Sequence, residues 1–251
     1  MRKKLSVLLT VLFCFFLFAG YQGNAQNELA FTKYHNYSEV QNALKSLNQA
    51  NSSTTAIHTI AESPGGHAVT ILEIGKNLNG KPAVFVGANF EGITPLSTEG
   101  ALYLAKMILD STKYQENVKW YIMPSPNPDA AENYFASVVF KKSSNDMAIN
   151  NDNDDITDED GFDDLNKDGF ITQMRVKHPE GTHKAAEKDP RVLERADAKK
   201  GERGEYKIYT EGIDNDGDGQ YNEDGPGGVN IGLNFPHLFN NYLKESGLYP
   251  G

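Results

Sequence analysis

Cysteine is all but absent: Cys14 is the sole one among 251 residues, so no disulfide and, beyond residue 14, no thiolate chemistry is available. Cations are also short, 24 Lys and Arg against 34 Asp and Glu, and the resulting net charge of −10 argues against a nucleic-acid partner. Long apolar runs are missing too. The stretch Leu5 to Ala19 spans fifteen residues, short of the roughly 20 that cross a bilayer. Neither a Gly-x-Ser-x-Gly nucleophile turn nor a glycine-rich phosphate loop occurs.

What is present begins with an export signal. Met1 to Lys4 is a basic start, Leu5 to Ala19 is uncharged and mostly apolar, and Gly23-Asn-Ala25 offers a small-x-small cleavage site. The reading is residues 1–25 as signal peptide and 26–251 as one domain, exported to the periplasm, cell surface or medium, without a membrane anchor after cleavage. Loss of Arg2, Lys3 and Lys4 takes the charge from −10 to −13. A composition of 39% hydrophobic residues is enough for one sizeable core.

Val40, Ala43, Leu44 and Leu47 recur on one face of an amphipathic helix within Phe31–Leu47. Two strands follow, around His58–Ala61 and Val69–Ile74, broken by Pro64-Gly65-Gly66, and Asn79-Gly80 turns the chain into the apolar run Ala83–Val86. That run reads as a buried strand ended by Gly87. Ser97 or Thr98 then offers an N-cap, and Ala101, Leu104, Ala105 and Ile108 form one apolar helical face. Val118–Met123 reads as another buried strand, whose exit Pro124-Ser-Pro-Asn-Pro-Asp129 is an extended turn from which proline excludes helix. Strands alternating with helices predict an α/β sandwich, with chemistry in the loop Gly87–Leu96, which carries Asn89, Glu91 and Thr94.

Lys81–Asp110, Tyr121–Ala130 and Gly227–His237 together resemble the zinc carboxypeptidases of the carboxypeptidase A type. The resemblance implies a three-layer α/β sandwich with a mixed central sheet, incomplete at its C-terminus and carrying an acidic, loop-rich insertion over residues 146–226. It also implies Zn2+, held in that family by His-x-x-Glu in the loop after the strand. Here those positions hold Glu91 and Thr94, and no His-x-x-Glu occurs anywhere. The Asn-Arg pair that would hold a substrate's terminal carboxylate falls on Gly232 and Leu233, while Asn234, Phe235 and Pro236 match. The third zinc ligand and the general-base glutamate are expected beyond this segment, and the sequence ends at Gly251, which predicts a truncated or split reading frame. Arg175 matches an arginine that stabilises the oxyanion in the family. Read from its surroundings alone, it is a surface cation answering the acidic run.

That run, Asn150–Asp168, holds nine carboxylates, and its spacing is that of a calcium loop. Asp164, Asn166 and Asp168 occupy positions 1, 3 and 5, Gly169 the sharp turn at 6 and Ile171 the apolar anchor at 8. A second copy runs through Asp214, Asp216, Asp218, Gly219 and Tyr221, and a weaker third starts at Asn150. Position 12 is Arg175 in the first and Gly225 in the second, so Glu223 or Asp224 is placed to close the second loop. The expectation is structural Ca2+. The sequence therefore predicts an exported metallocarboxypeptidase-like protein with lost or impaired peptidase activity and a cleft for peptide or cell-wall material. Two alternatives stand: an active zinc carboxypeptidase with altered ligands or a missing segment, and a calcium-dependent binding or structural module.

Overall fold

The computed structural model describes residues 29–149, 161–215, 217, 219, 221–222 and 227–236, so the segment 1–25 expected to be a signal peptide, the third acidic loop, Asp216, Asp218, Glu223 and His237 lie outside the described residues. The chain divides into two units, Met1–Lys33 and Tyr34–Gly251, and everything that follows concerns the second.

Helix α1 (Tyr37–Ala50) starts at a capping box: Asn36 accepts from the Glu39 N–H, and the Glu39 side chain accepts from the Asn36 N–H. Its buried stripe is Val40, Ala43 and Leu44. Strands β1 (Thr55–Glu62) and β2 (Ala68–Ile74) form an antiparallel hairpin, and β3 (Ala83–Gly87), helix α2 (Pro95–Leu109) and β4 (Lys119–Met123) follow. Sheet order is β1-β2-β4-β3, with β4 antiparallel to β2 and parallel to β3. This is a mixed α/β architecture with a mixed sheet, as the sequence predicts.

Register decides which side chains share a face. Leu72 stands opposite Ile122, with Ile74 two residues on, and all three are fully buried where α1 meets β2 and α2 meets β4. The other face carries Glu73, whose carboxylate accepts from Lys119 Nζ at 2.7 Å and meets His58 Nε2 at 2.6 Å. Burial raises the Glu73 pKa, but the Lys119 and His58 hydrogen bonds outweigh it and hold the carboxyl below its ordinary range.

Five local expectations are corrected. The run Ala83–Val86 is a strand but not a buried one: Phe85 is 56% exposed and Val84 38%, because among the described residues β4 alone flanks it. In β4, only Ile122 and Met123 are buried. The N-cap position of α2 is Thr94, not Ser97 or Thr98, and its side chain makes no capping bond; the helix starts at Pro95, where a missing N–H costs nothing. Its stripe is Thr98, Ala101, Leu102, Ala105 and Ile108, so Leu102 takes the place expected of Leu104. Finally, Pro128 opens a short helix, α3 (Pro128–Asn133), with Asn127 as N-cap. Proline excludes a helix interior but favours its start.

The segment expected to be loop-rich contains a second sheet. Strands β5 (Gln173–Lys177), β6 (His183–Ala185), β7 (Leu193–Arg195) and β8 (Tyr206–Thr210) pair antiparallel in the order β5-β8-β6-β7. Their short runs lie among so many charges that no alternation stands out in the sequence.

Candidate functional site

The loop after β3 leaves the parallel pair β3/β4 at its carboxyl end, where open α/β sheets form their ligand crevices. Asn89 organises it from an unusual backbone position, with φ of +57°. Its Oδ1 accepts from the Thr94 N–H at 2.9 Å, and its Nδ2 donates to Thr98 Oγ1 at 3.1 Å and to the Gly92 carbonyl at 3.3 Å. Thr98 in turn donates to the Pro124 carbonyl at 3.0 Å, tying α2 to the exit of β4. Gly92 packs so closely on α3 that any side chain there would collide with Ala130.

Against this loop lies the segment 227–236. Phe90 and Phe235 meet edge to face with centroids 5.6 Å apart, and a Cβ built on Gly232 would stand 3.4 Å from Glu91 Cγ. The fold thus brings Glu91 and Gly232, predicted from different motifs, to one place. Gly232 donates its N–H to Asn230 Oδ1 at 2.9 Å, and the Leu233 N–H donates to the Asn230 carbonyl. Thr94 is exposed beside them at the head of α2. The segment is anchored by Val229 N–H to Asn145 Oδ1 at 2.8 Å, Asn145 N–H to the Val229 carbonyl at 3.0 Å, and Ser144 Oγ to the Gly227 carbonyl at 2.7 Å.

In the first turn of α3, the helix on which Gly92 packs, is a residue that the sequence presents only as part of a turn. Asp129 is buried and accepts from Ser63 Oγ at 2.5 Å, from the Gly65 and Asp146 N–H groups at 3.1 and 3.0 Å, and it meets His67 Nδ1 at 2.8 Å. Burial raises its pKa; these bonds lower it further than burial lifts it, leaving an anion at neutral pH. The signal was the pairing of a lone acid in a Pro-rich corner with a Ser-Pro-Gly-Gly-His turn, which no short-range rule connects.

Arg175 lies in the second sheet. Its Nη1 donates to the Pro190 carbonyl at 2.8 Å, and its guanidinium stands 5.2 Å from the Tyr206 ring centroid.

At one end of the β5–β8 ladder the two acidic loops share a geometry. Asp164 Oδ2 accepts from the Gly169 N–H and Asp214 Oδ2 from the Gly219 N–H, each at 2.9 Å, with the glycines at φ of +85° and +92°. Asn166 and Asp168 are exposed in the first. Buried Glu211 ties that loop to β8, accepting from the Leu165, Asn166 and Thr172 N–H groups and from Thr172 Oγ1. Burial raises its pKa; the Thr172, Asn166 and Leu165 bonds bring it below the ordinary value.

A mixed sheet flanked by helices, with a loop leaving the carboxyl end of its parallel pair, defines a mixed α/β protein. More narrowly, the chain belongs to the zinc carboxypeptidase family, whose family model matches residues 40–246. It is similar to carboxypeptidase B of Astacus astacus, 26% identical over 103 residues that make up 39% of this chain and 34% of that protein. The chain therefore spans about a third of the curated relative it matches. Among solved structures it is similar to carboxypeptidase A from Helicoverpa armigera, at 21% identity and TM-score 0.45 over 51% of this chain and 33% of that one. It is also similar to bovine thrombin-activatable fibrinolysis inhibitor in complex with a tick carboxypeptidase inhibitor, at 15% identity and TM-score 0.43 over 50% and 41%.

Zinc is the metal this family implies. Three protein ligands with one open position are needed. Glu91 supplies one carboxylate, Thr94 a poorly coordinating hydroxyl, and among the described residues no three His, Cys, Asp or Glu side chains converge to hold a metal ion. The residues described here do not fit zinc.

Proposed function

We propose that this protein is an exported member of the zinc carboxypeptidase family with lost or impaired peptidase activity, whose crevice binds peptide or cell-wall material. The observation that carries the reading is the proximity of Glu91 to Gly232, where an added Cβ would stand 3.4 Å from Glu91 Cγ. It supports the reading because the resemblance expects a histidine ligand at Glu91 and a carboxylate-binding amide at Gly232, and the sequence has neither. Leu233 adds an apolar side chain where a bidentate arginine would supply charge and geometry together. Export rests on the basic-apolar-small pattern of residues 1–25.

The test is the metal content of the secreted chain after dialysis, together with release of C-terminal residues from peptides. Calcium without zinc, and no release, is the expected result. Stoichiometric zinc with hydrolysis sinks the proposal.

A second, compatible role is a calcium brace, favoured by the matching aspartate-to-glycine geometry of the two loops. Hard oxygen ligands at Asp164, Asn166, Asp168, Asp214, Asp216 and Asp218, with Glu223 closing the second loop, suit Ca2+ rather than a softer metal. At a hundredfold excess over its Kd, calcium binding to the native state alone stabilises it by about 2.7 kcal/mol. A rise in Tm with calcium, absent in Asp214→Ala and Asp218→Ala, is expected; an unchanged Tm in the parent chain rules the brace out.

A further inference from the structure

We infer that the crevice recognises a primary ammonium group on a peptide, inverting the charge preference that a terminal carboxylate would demand. The inference rests on the reading of the crevice as a peptide-binding cleft.

The two segments that line it, residues 87–98 and 227–236, together carry one charged side chain, Glu91, and no lysine or arginine. A carboxylate ligand entering here meets a like charge and no cation. An ammonium group meets the reverse. Glu91 is exposed, and its carboxylate forms no hydrogen bond or ion pair among the described residues. The neighbouring acids are engaged: Glu99 receives His35 Nδ1 at 2.8 Å together with the His35 N–H at 2.7 Å, and Asp129 has its four partners. Among the described residues of these two segments, that leaves Glu91 as the available anion.

Its surroundings suit a cation further. Phe90 and the half-exposed Phe235 stand at the same contact, and aromatic faces attract ammonium groups within about 6 Å. Gly232 opens the backbone beside the carboxylate, and Leu233 offers apolar surface to the stem of a lysine. The positive end of α2 offsets part of the Glu91 charge, which limits the preference. Exposed ion pairs contribute up to about 1 kcal/mol, a factor of about five in affinity.

Binding is measured by calorimetry at low and at physiological ionic strength, with four alanine-rich peptides. One is N-acetylated and C-amidated with a single lysine; in the second that lysine is acetylated; the third has a free C-terminal carboxylate in place of the amide; the fourth has a free α-amine and no lysine, which separates chain end from side chain. The expected result is about fivefold tighter binding of the lysine peptide than of its acetyl-lysine form, shrinking with salt and disappearing in Glu91→Gln at unchanged Tm. A lysine preference that survives Glu91→Gln, or tighter binding of the free carboxylate, overturns the inference. Equal binding of all four removes it and leaves the cleft standing, whereas no binding of any peptide removes both.

Discussion

At the scale of single residues, the anions of this fold are defined by what donates to them. Asp129, Glu73 and Glu211 each have a pKa held below the ordinary value of about 4 by hydrogen bonds that outweigh burial. A depressed pKa contributes stability that is present above the unfolded value and lost as pH falls through the folded one. The Tm is therefore expected to be flat near neutrality and to drop below about pH 4. Asp129→Asn should lower stability at neutral pH by about 2 kcal/mol and flatten that acid limb, read by urea unfolding across the pH range. An Asp129→Asn protein as steep in acid as the parent would contradict the assignment. Glu91, Thr94, Gly232 and Leu233 can be singled out in the sequence because the resemblance says where each motif residue should stand. Asp129 cannot, since its partners Ser63, Gly65 and His67 lie more than sixty residues upstream and no local pattern marks them.

Helices and strands were read from periodicity, and periodicity reports an apolar face without saying what covers it. The α1 stripe of Val40, Ala43 and Leu44 came through because 3.6-residue spacing and burial coincide there. The Ala83–Val86 run has no period at all and so reads as a buried strand, whereas Phe85 is more than half exposed. The difference has a measurable cost: Leu72→Ala, at a fully buried site of the same sheet, should destabilise by about 2–5 kcal/mol and Phe85→Ala by less than about 1. Comparable losses in chemical unfolding would place Phe85 in a packed core after all. The starts of α2 and α3 elude the sequence for a different reason. Pro95 and Pro128 act as starts, and proline's signal changes sign between the first turn of a helix and its interior. The second sheet escaped notice because β6 and β7 are three residues each, too short for alternation to register.

For the whole molecule, charge and topology set the behaviour. An acidic chain with carboxylates gathered in two loops gains from anything that screens or binds them, and the β5–β8 ladder has both loops at one end, the first tied to β8 through Glu211. The main sheet has a further consequence, in the order of its assembly. β2 and β3 are successive in sequence but separated in the sheet by β4, which arrives only after α2. The β1–β2 hairpin, closed over the turn Ser63–His67, forms from near neighbours, while every other pairing in that sheet waits for the chain between Gly87 and Lys119 to loop back. Refolding is thus gated by a loop-closure entropy. The crevice, which exists only where β3 and β4 lie side by side, is among the last features of the native state to appear.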